Sequence, residues 1–151
     1  MEIVVCSSSE SVKHRIRTIT LFYAALIGLQ RFTHTVYIKP IRGLVNNVGG
    51  NGQTYSAPHL DKAVEVLIDA NLPFSQLMTT LAHEMVHVKQ IVSGLLRTDF
   101  ITTNKNSLQQ RLFWRGQDMT HLDYLDRPWE KQAFSQESLM VRRLDNFLTT
   151  N

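Results

Sequence analysis

Pro73 and Gly94 bracket a segment, Phe74–Ser93, in which neither residue type recurs and apolar side chains return every three or four positions. Leu77, Leu81, Met85, Val88 and Val92 make one stripe. That spacing predicts a helix with one face committed to a core, Pro73 suiting its first turn and Gly94 its C-terminal stop. The same helix carries His83-Glu84-Met85-Val86-His87. Residues four apart share a helical face, so His83 and His87 can both turn an imidazole nitrogen toward one metal ion. Glu84, about 100° round the helix from His83, falls beside such an ion, placed to take a proton from water that the ion activates. The competing interpretation is two surface or core histidines that bind nothing. The motif's place in mid-helix, after a strand and a proline turn, favours the metal.

Around this helix the chain alternates short strands with helices. Glu2–Cys6, with Ile3, Val4 and Val5, reads as a strand. Ser7…Glu10 has capping-box spacing, and Val12, Ile16, Ile19, Tyr23 and Leu26 then mark an amphipathic helix. Its basic cluster, Lys13, His14, Arg15 and Arg17, reads as a solvated face. Arg31–Lys39 alternates as a strand ended by Pro40, and the glycine-rich stretch Asn46–Gly52 reads as a hairpin or mobile loop. It lacks the Lys-Ser/Thr ending of a phosphate-binding loop. Ala63–Asp69 alternates again, with Val64, Val66 and Ile68 on one face. Beyond Gly94, Ser107–Trp114 suits a strand, Arg115-Gly116-Gln117 a turn, and Pro128 to about Leu148 a final helix. No repeat or interdomain linker is visible, and 151 residues suffice for one domain, residues 1–151.

Composition narrows the chemistry. Cys6 is the only cysteine, which excludes an internal disulfide and a cysteine-ligated metal cluster; on a strand it is expected to be a small buried residue. Sixteen basic against thirteen acidic residues leave +3, too mild a bias to mark a nucleic-acid surface. Met1–Cys6 lacks the basic lead of a secretory signal, and Leu21–Leu29 falls short of the roughly 20 residues that span a bilayer. No membrane partner and a cytoplasmic setting are expected.

A metal held by two histidines needs a third protein ligand. After His87 the candidates are Asp99, Asp118, His121, Asp123, Asp126, Glu130 and Glu137. Glu130 stands out because it opens the last helix on the stripe of Ala133, Phe134, Val141 and Leu144, where an unpaired carboxylate is expensive. Helix N-terminal charge is its alternative role. Glu137 lies near the same stripe, two turns deeper, and suits a supporting or surface role.

Taken together, His83-Glu84-Met85-Val86-His87 and a distant helix-borne glutamate resemble the gluzincin branch of the zincin metallopeptidases. Trp114-Arg115-Gly116, Tyr124 and Pro128-Trp129-Glu130-Lys131-Gln132-Ala133 are similar to segments of small zincin-like proteins from phage and prophage genomes. The likeness runs over roughly Ala63–Phe134, and the combination is more specific than the motif alone. It implies an α+β, zincin-like single domain, with a mostly antiparallel sheet packed on the N-terminal, motif and C-terminal helices. It implies Zn2+ on His83, His87 and Glu130, Glu84 as general base, and a peptide or protein substrate. A cleft-lining edge strand would pair with that substrate; Ala63–Asp69, with Val64, Val66 and Ile68, is the candidate. Pro128 and Trp129 would fix the entry of the last helix, and Tyr124 or His121 would stabilise the oxyanion or support the site. If phage-encoded, the protein would work in the host cytoplasm. Two other classes stay open: an inactive, zinc-stabilised module acting through a protein or nucleic-acid partner, and a nucleic-acid-associated protein using Lys13, Arg15 and Arg17 with Arg111 and Arg115.

Overall fold

The β-branched run at the start of the chain forms strand β1 (Glu2–Val5) in the computed structural model, which describes residues 1–48 and 50–150. Helix α1 (Glu10–Leu26) follows. Its N-cap is Ser9, whose hydroxyl accepts from Val12 N at 3.4 Å; Ser7 accepts from Ser9 N instead, so the cap sits two residues later than the Ser7…Glu10 spacing suggests. Ile16, Ile19 and Tyr23 turn inward, whereas Val12 and Leu26 at the ends of the stripe stay exposed. His14, Arg15 and Arg17 face solvent, as expected of a solvated face, and Lys13 pairs with Glu10 at 2.7 Å. Cys6, just past β1, is exposed rather than buried.

Strand β2 (Thr35–Ile41) starts later than the alternation suggests and runs through Pro40. Ile38 O accepts from Cys6 N, so Ile38 and, two residues on, Pro40 face the β1 side. There β1 has already ended, and the missing N–H of Pro40 costs no ladder bond. Helix α2 (Leu44–Val48) and strand β3 (Gly52–Ser56) occupy most of the glycine-rich region; Gly49, within the expected loop, lies outside the described residues. Strand β4 (Ala63–Asp69) then pairs antiparallel with β3 and parallel with β2, giving the order β1-β2-β4-β3. In this sheet two of the three pairings are parallel, so it is mixed. The fold is α+β, and the second sheet is antiparallel throughout: β5 (Leu96–Thr102), β6 (Leu108–Trp114) and β7 (Gln117–Asp118).

Helix α3 (Phe74–Val92) is the centre of the molecule, touching β3, β4, β5, α1 and the last helix, α4 (Pro128–Thr150). Leu77, Leu81, Met85 and Val88 are buried as the stripe requires, but so are Thr80, His83, Glu84, His87 and Gln90 on its other sides. The helix is enclosed by sheet on one side and α4 on the other, which leaves its polar residues needing internal partners. Tyr23, fully buried, ties α1 to α3 through a 3.1 Å bond to Met78 O. Val36, Ile38, Val64, Val66 and Ile68 complete this main core from the sheet. A smaller cluster, Leu96, Leu112, Trp114 and Trp129, lies between the second sheet and the start of α4. Among the described residues no helix is long and apolar enough to cross a membrane.

Candidate metal centre

Both sheets and two helices line a cavity of about 530 Å³. From α3 come His83, Glu84 and His87, from α4 Glu130, and from β3 Gly52 and Thr54. Glu130 is aimed by its neighbours: Trp129 on one side is locked into the smaller cluster and Ala133, one turn on, into the main core. His83 Nε2 lies 3.0 Å and His87 Nε2 3.3 Å from the same oxygen, Glu130 Oε2. Each of the three offers one ligand atom within 4.8 Å of the others, and all three side chains are buried. The group could hold a metal ion.

The surroundings fit that role. His83 Nδ1 meets Glu137 Oε2 at 2.8 Å, and His87 Nδ1 meets Gln90 Oε1 at 2.8 Å. Gln90 spends its amide donors on Trp129 O (3.0 Å) and Gln132 Oε1 (2.7 Å), so its oxygen must accept and His87 Nδ1 must carry the hydrogen. The His87 Nε2 lone pair is thereby free to ligate, which is how partners behind metal-binding imidazoles work. Tetrahedral ligands about 2.0–2.1 Å from zinc stand about 3.3 Å apart, close to the spacing of both imidazole nitrogens from Glu130 Oε2.

The three side chains also favour one another's charged forms. Burial disfavours the His83 imidazolium, but Glu130, Glu84 and Glu137 outweigh it and raise its pKa to about 9. His87 is raised for the same reason, its burial overcome by Glu130 and Glu84. Glu130 is pushed up by burial yet held well below the usual carboxylate range by the two histidines. A dication in their midst would compete with protons for the two imidazole nitrogens.

Glu84 stands apart from this trio. Its Oε2 accepts from Thr54 Oγ1 at 2.6 Å, and Oε1 has no hydrogen-bond partner among the described residues. Burial pushes its carboxyl up, against the pull of His87 and the Thr54 bond. Gly52 lies so close that a Cβ there would come within 2.6 Å of Glu84 Oε1.

The positions singled out from the sequence separate here. His83, Glu84, His87 and Glu130 come together, and Tyr124 lines the same cavity, its pKa raised by burial first and by the Glu130 carboxylate next. His121 is exposed and absent from the cavity lining. Glu137 is the partner of His83. Val64, Val66 and Ile68 do not belong to an edge: β4 lies between β2 and β3, and these three side chains are in the main core. The edge strand beside the cavity is β3. Asn51 O accepts from Asp69 N and Ala57 N donates to Ala63 O, so by alternation Gly52, Thr54 and Ser56 direct their backbone groups away from β4. Ser56 N is taken by Thr98 Oγ1 at 2.8 Å, which leaves the backbone of Gly52 and Thr54 along the open edge.

Thr54, Gly52, Gln90 and Arg127 are the site residues that sequence reasoning missed. Only Gln90 left a signal, an amide three residues after His87 on a helix rich in buried positions. Comparison with protein-family models, with curated proteins and with solved structures gives no match to this chain.

Proposed function

We propose that this protein is a zinc-dependent peptidase of the gluzincin kind, with His83, His87 and Glu130 as metal ligands and Glu84 as general base. The observation that carries the proposal is the convergence of two imidazole Nε2 atoms on one carboxylate oxygen, with a separately held glutamate beside them. Two nitrogens and a carboxylate oxygen favour zinc among divalent ions. When bound, zinc supplies Lewis-acid polarisation of a carbonyl and makes water acidic enough to attack at neutral pH.

The chain's own residues supply the rest. Glu84 Oε1, which has no hydrogen-bond partner among the described residues, takes the proton of the attacking water and passes it to the leaving amine. Thr54 grips Oε2 and keeps the carboxylate from swinging away. An extended peptide adds to the open edge of β3 at Gly52 and Thr54, whose backbone groups fix its register next to Glu84. Tyr124, on the Glu130 side of the cavity, is placed to donate to the developing oxyanion. His121, exposed and outside the cavity lining, is given no part in this proposal.

The test is a peptide-library digest with zinc-loaded protein and its Glu84→Gln variant. The wild type is expected to cleave. The variant should keep its zinc and lose activity by at least about a hundredfold, the lower range for removal of a general base. Equal activity of the two would remove Glu84 from the mechanism, and a zinc-loaded wild type that cleaves nothing would favour a binding module.

A further inference from the structure

Among the residues lining the cavity Arg127 is the sole lysine or arginine. It stands in the turn just ahead of α4, half-buried. Its Nε donates to Leu122 O at 3.2 Å, and its guanidinium carbon lies 5.8 Å from the ring centres of both Tyr124 and Trp129. Backbone and two aromatic faces therefore hold the fork in place. Among the described residues no carboxylate pairs with it. Arg97 and Arg111, both more open to water, have partners in Asp99 and Asp118 at 3.1 and 3.2 Å. A guanidinium that is partly desolvated, preorganised and unpaired in a cavity wall is suited to receive an anion from a ligand, and its fork matches a carboxylate in bidentate fashion.

We infer that Arg127 determines specificity at this site by receiving a carboxylate of the bound peptide, either an Asp or Glu side chain or a free C-terminus. The ligands of the site are then peptides that carry such a group on the Arg127 side of the segment lying in the cavity. This rests on the peptide-binding part of the function proposed above, and the test separates the two.

The probes are randomised hexapeptide pools, fluorescently labelled and made in four forms: C-terminus free or amidated, each with acidic residues present or replaced by their amides. Binding is measured by anisotropy to the zinc-loaded Glu84→Gln chain, alone and combined with Arg127→Gln or Arg127→Lys. The carboxylate-bearing pools are expected to bind about tenfold or more tighter, the range for hydrogen bonds to a charged group. Preference for the free C-terminus would identify one source of the carboxylate, and preference for acidic residues the other. Arg127→Gln should abolish the preference while zinc content and affinity for the neutral, amidated pool stay within about twofold, on the same grounds. Arg127→Lys, which keeps the charge and loses the fork, should retain only part of it. Equal binding of all four forms, or of none, overturns the inference. So does a preference that survives in Arg127→Gln, which would put the carboxylate on the metal. Cleavage of the same pools by zinc-loaded wild type reports separately on hydrolysis. Binding that depends on Arg127 without cleavage sinks the peptidase and keeps the carboxylate site, and cleavage indifferent to the carboxylate does the reverse.

Discussion

A methyl group on Gly52 would lie 2.6 Å from Glu84 Oε1 and 2.8 Å from its Cγ, so any side chain there must push the glutamate aside. Thr54, two residues on, holds the other oxygen at 2.6 Å. Gly52→Ala is therefore expected to leave zinc uptake intact and to cut peptide hydrolysis by about a hundredfold, the scale of a 1 Å misplacement of a reacting group. Undiminished hydrolysis in the purified, zinc-loaded variant would show that the position of Glu84 is not what the activity depends on. At this scale the legible part of the site was the part written in local spacing. His83 and His87 fall on one helical face whatever surrounds them, and Glu130 stood out as a carboxylate on an apolar stripe. Gly52 and Thr54 reach Glu84 from another element some thirty residues upstream, and no periodicity records that approach. Nothing in the sequence singles out Arg127, because the rings that stack against it are brought there by the fold.

Strand β4 shows what alternation does and does not convey. Its two-residue period marked a strand with Val64, Val66 and Ile68 on one face, and the structure turns that face into the core. The same period is shared by edge and central strands, so it could not show that β3, a segment of mostly polar residues, would pair outside it. Register across these strands is pinned on the opposite face by Glu65, which accepts from Tyr55 Oη and from Lys39 Nζ, each at 2.7 Å. Burial alone would raise the Glu65 pKa, but the Lys39 and Tyr55 bonds outweigh it and hold it below its ordinary value of 4.5. A carboxylate depressed in this way contributes stability that is complete above its unfolded pKa and is lost as pH falls through the folded one. Tyr55→Phe should cost about 1 kcal/mol at neutral pH, the usual worth of one hydrogen bond. That gap should narrow below about pH 4.5 as Glu65 protonates. Urea titrations of the metal-free proteins at pH 7 and pH 4 check it, and an identical gap at both pH values would mean that the Glu65 charge takes no part.

For the molecule as a whole, the three residues that could hold a metal join two helices that the chain brings together only after folding. α3 carries two, α4 the third, and the cluster of Leu96, Leu112, Trp114 and Trp129 sets the angle at which Glu130 arrives. The larger core, around Tyr23, Leu81 and Met85, does not involve His83, His87 or Glu130. The metal-free chain is therefore expected to remain cooperatively folded, and zinc to raise its Tm in a concentration-dependent way. At a hundredfold excess over the dissociation constant the gain is about 2.7 kcal/mol; a Tm indifferent to zinc would contradict it. The general class, α+β with helices against a sheet, was legible because each element has its own period. The mixed pairing of the main sheet and the second sheet built on Leu96–Thr102 were not, since both follow from contacts between distant segments. The central claim is that His83, His87 and Glu130 are a zinc site, and elemental mass spectrometry of untagged protein purified without added metal or chelator tests it most directly. The expected result is about one zinc per chain, as three protein ligands require, lost in Glu130→Ala; no metal in the wild type, and none taken up on titration with zinc, would contradict it.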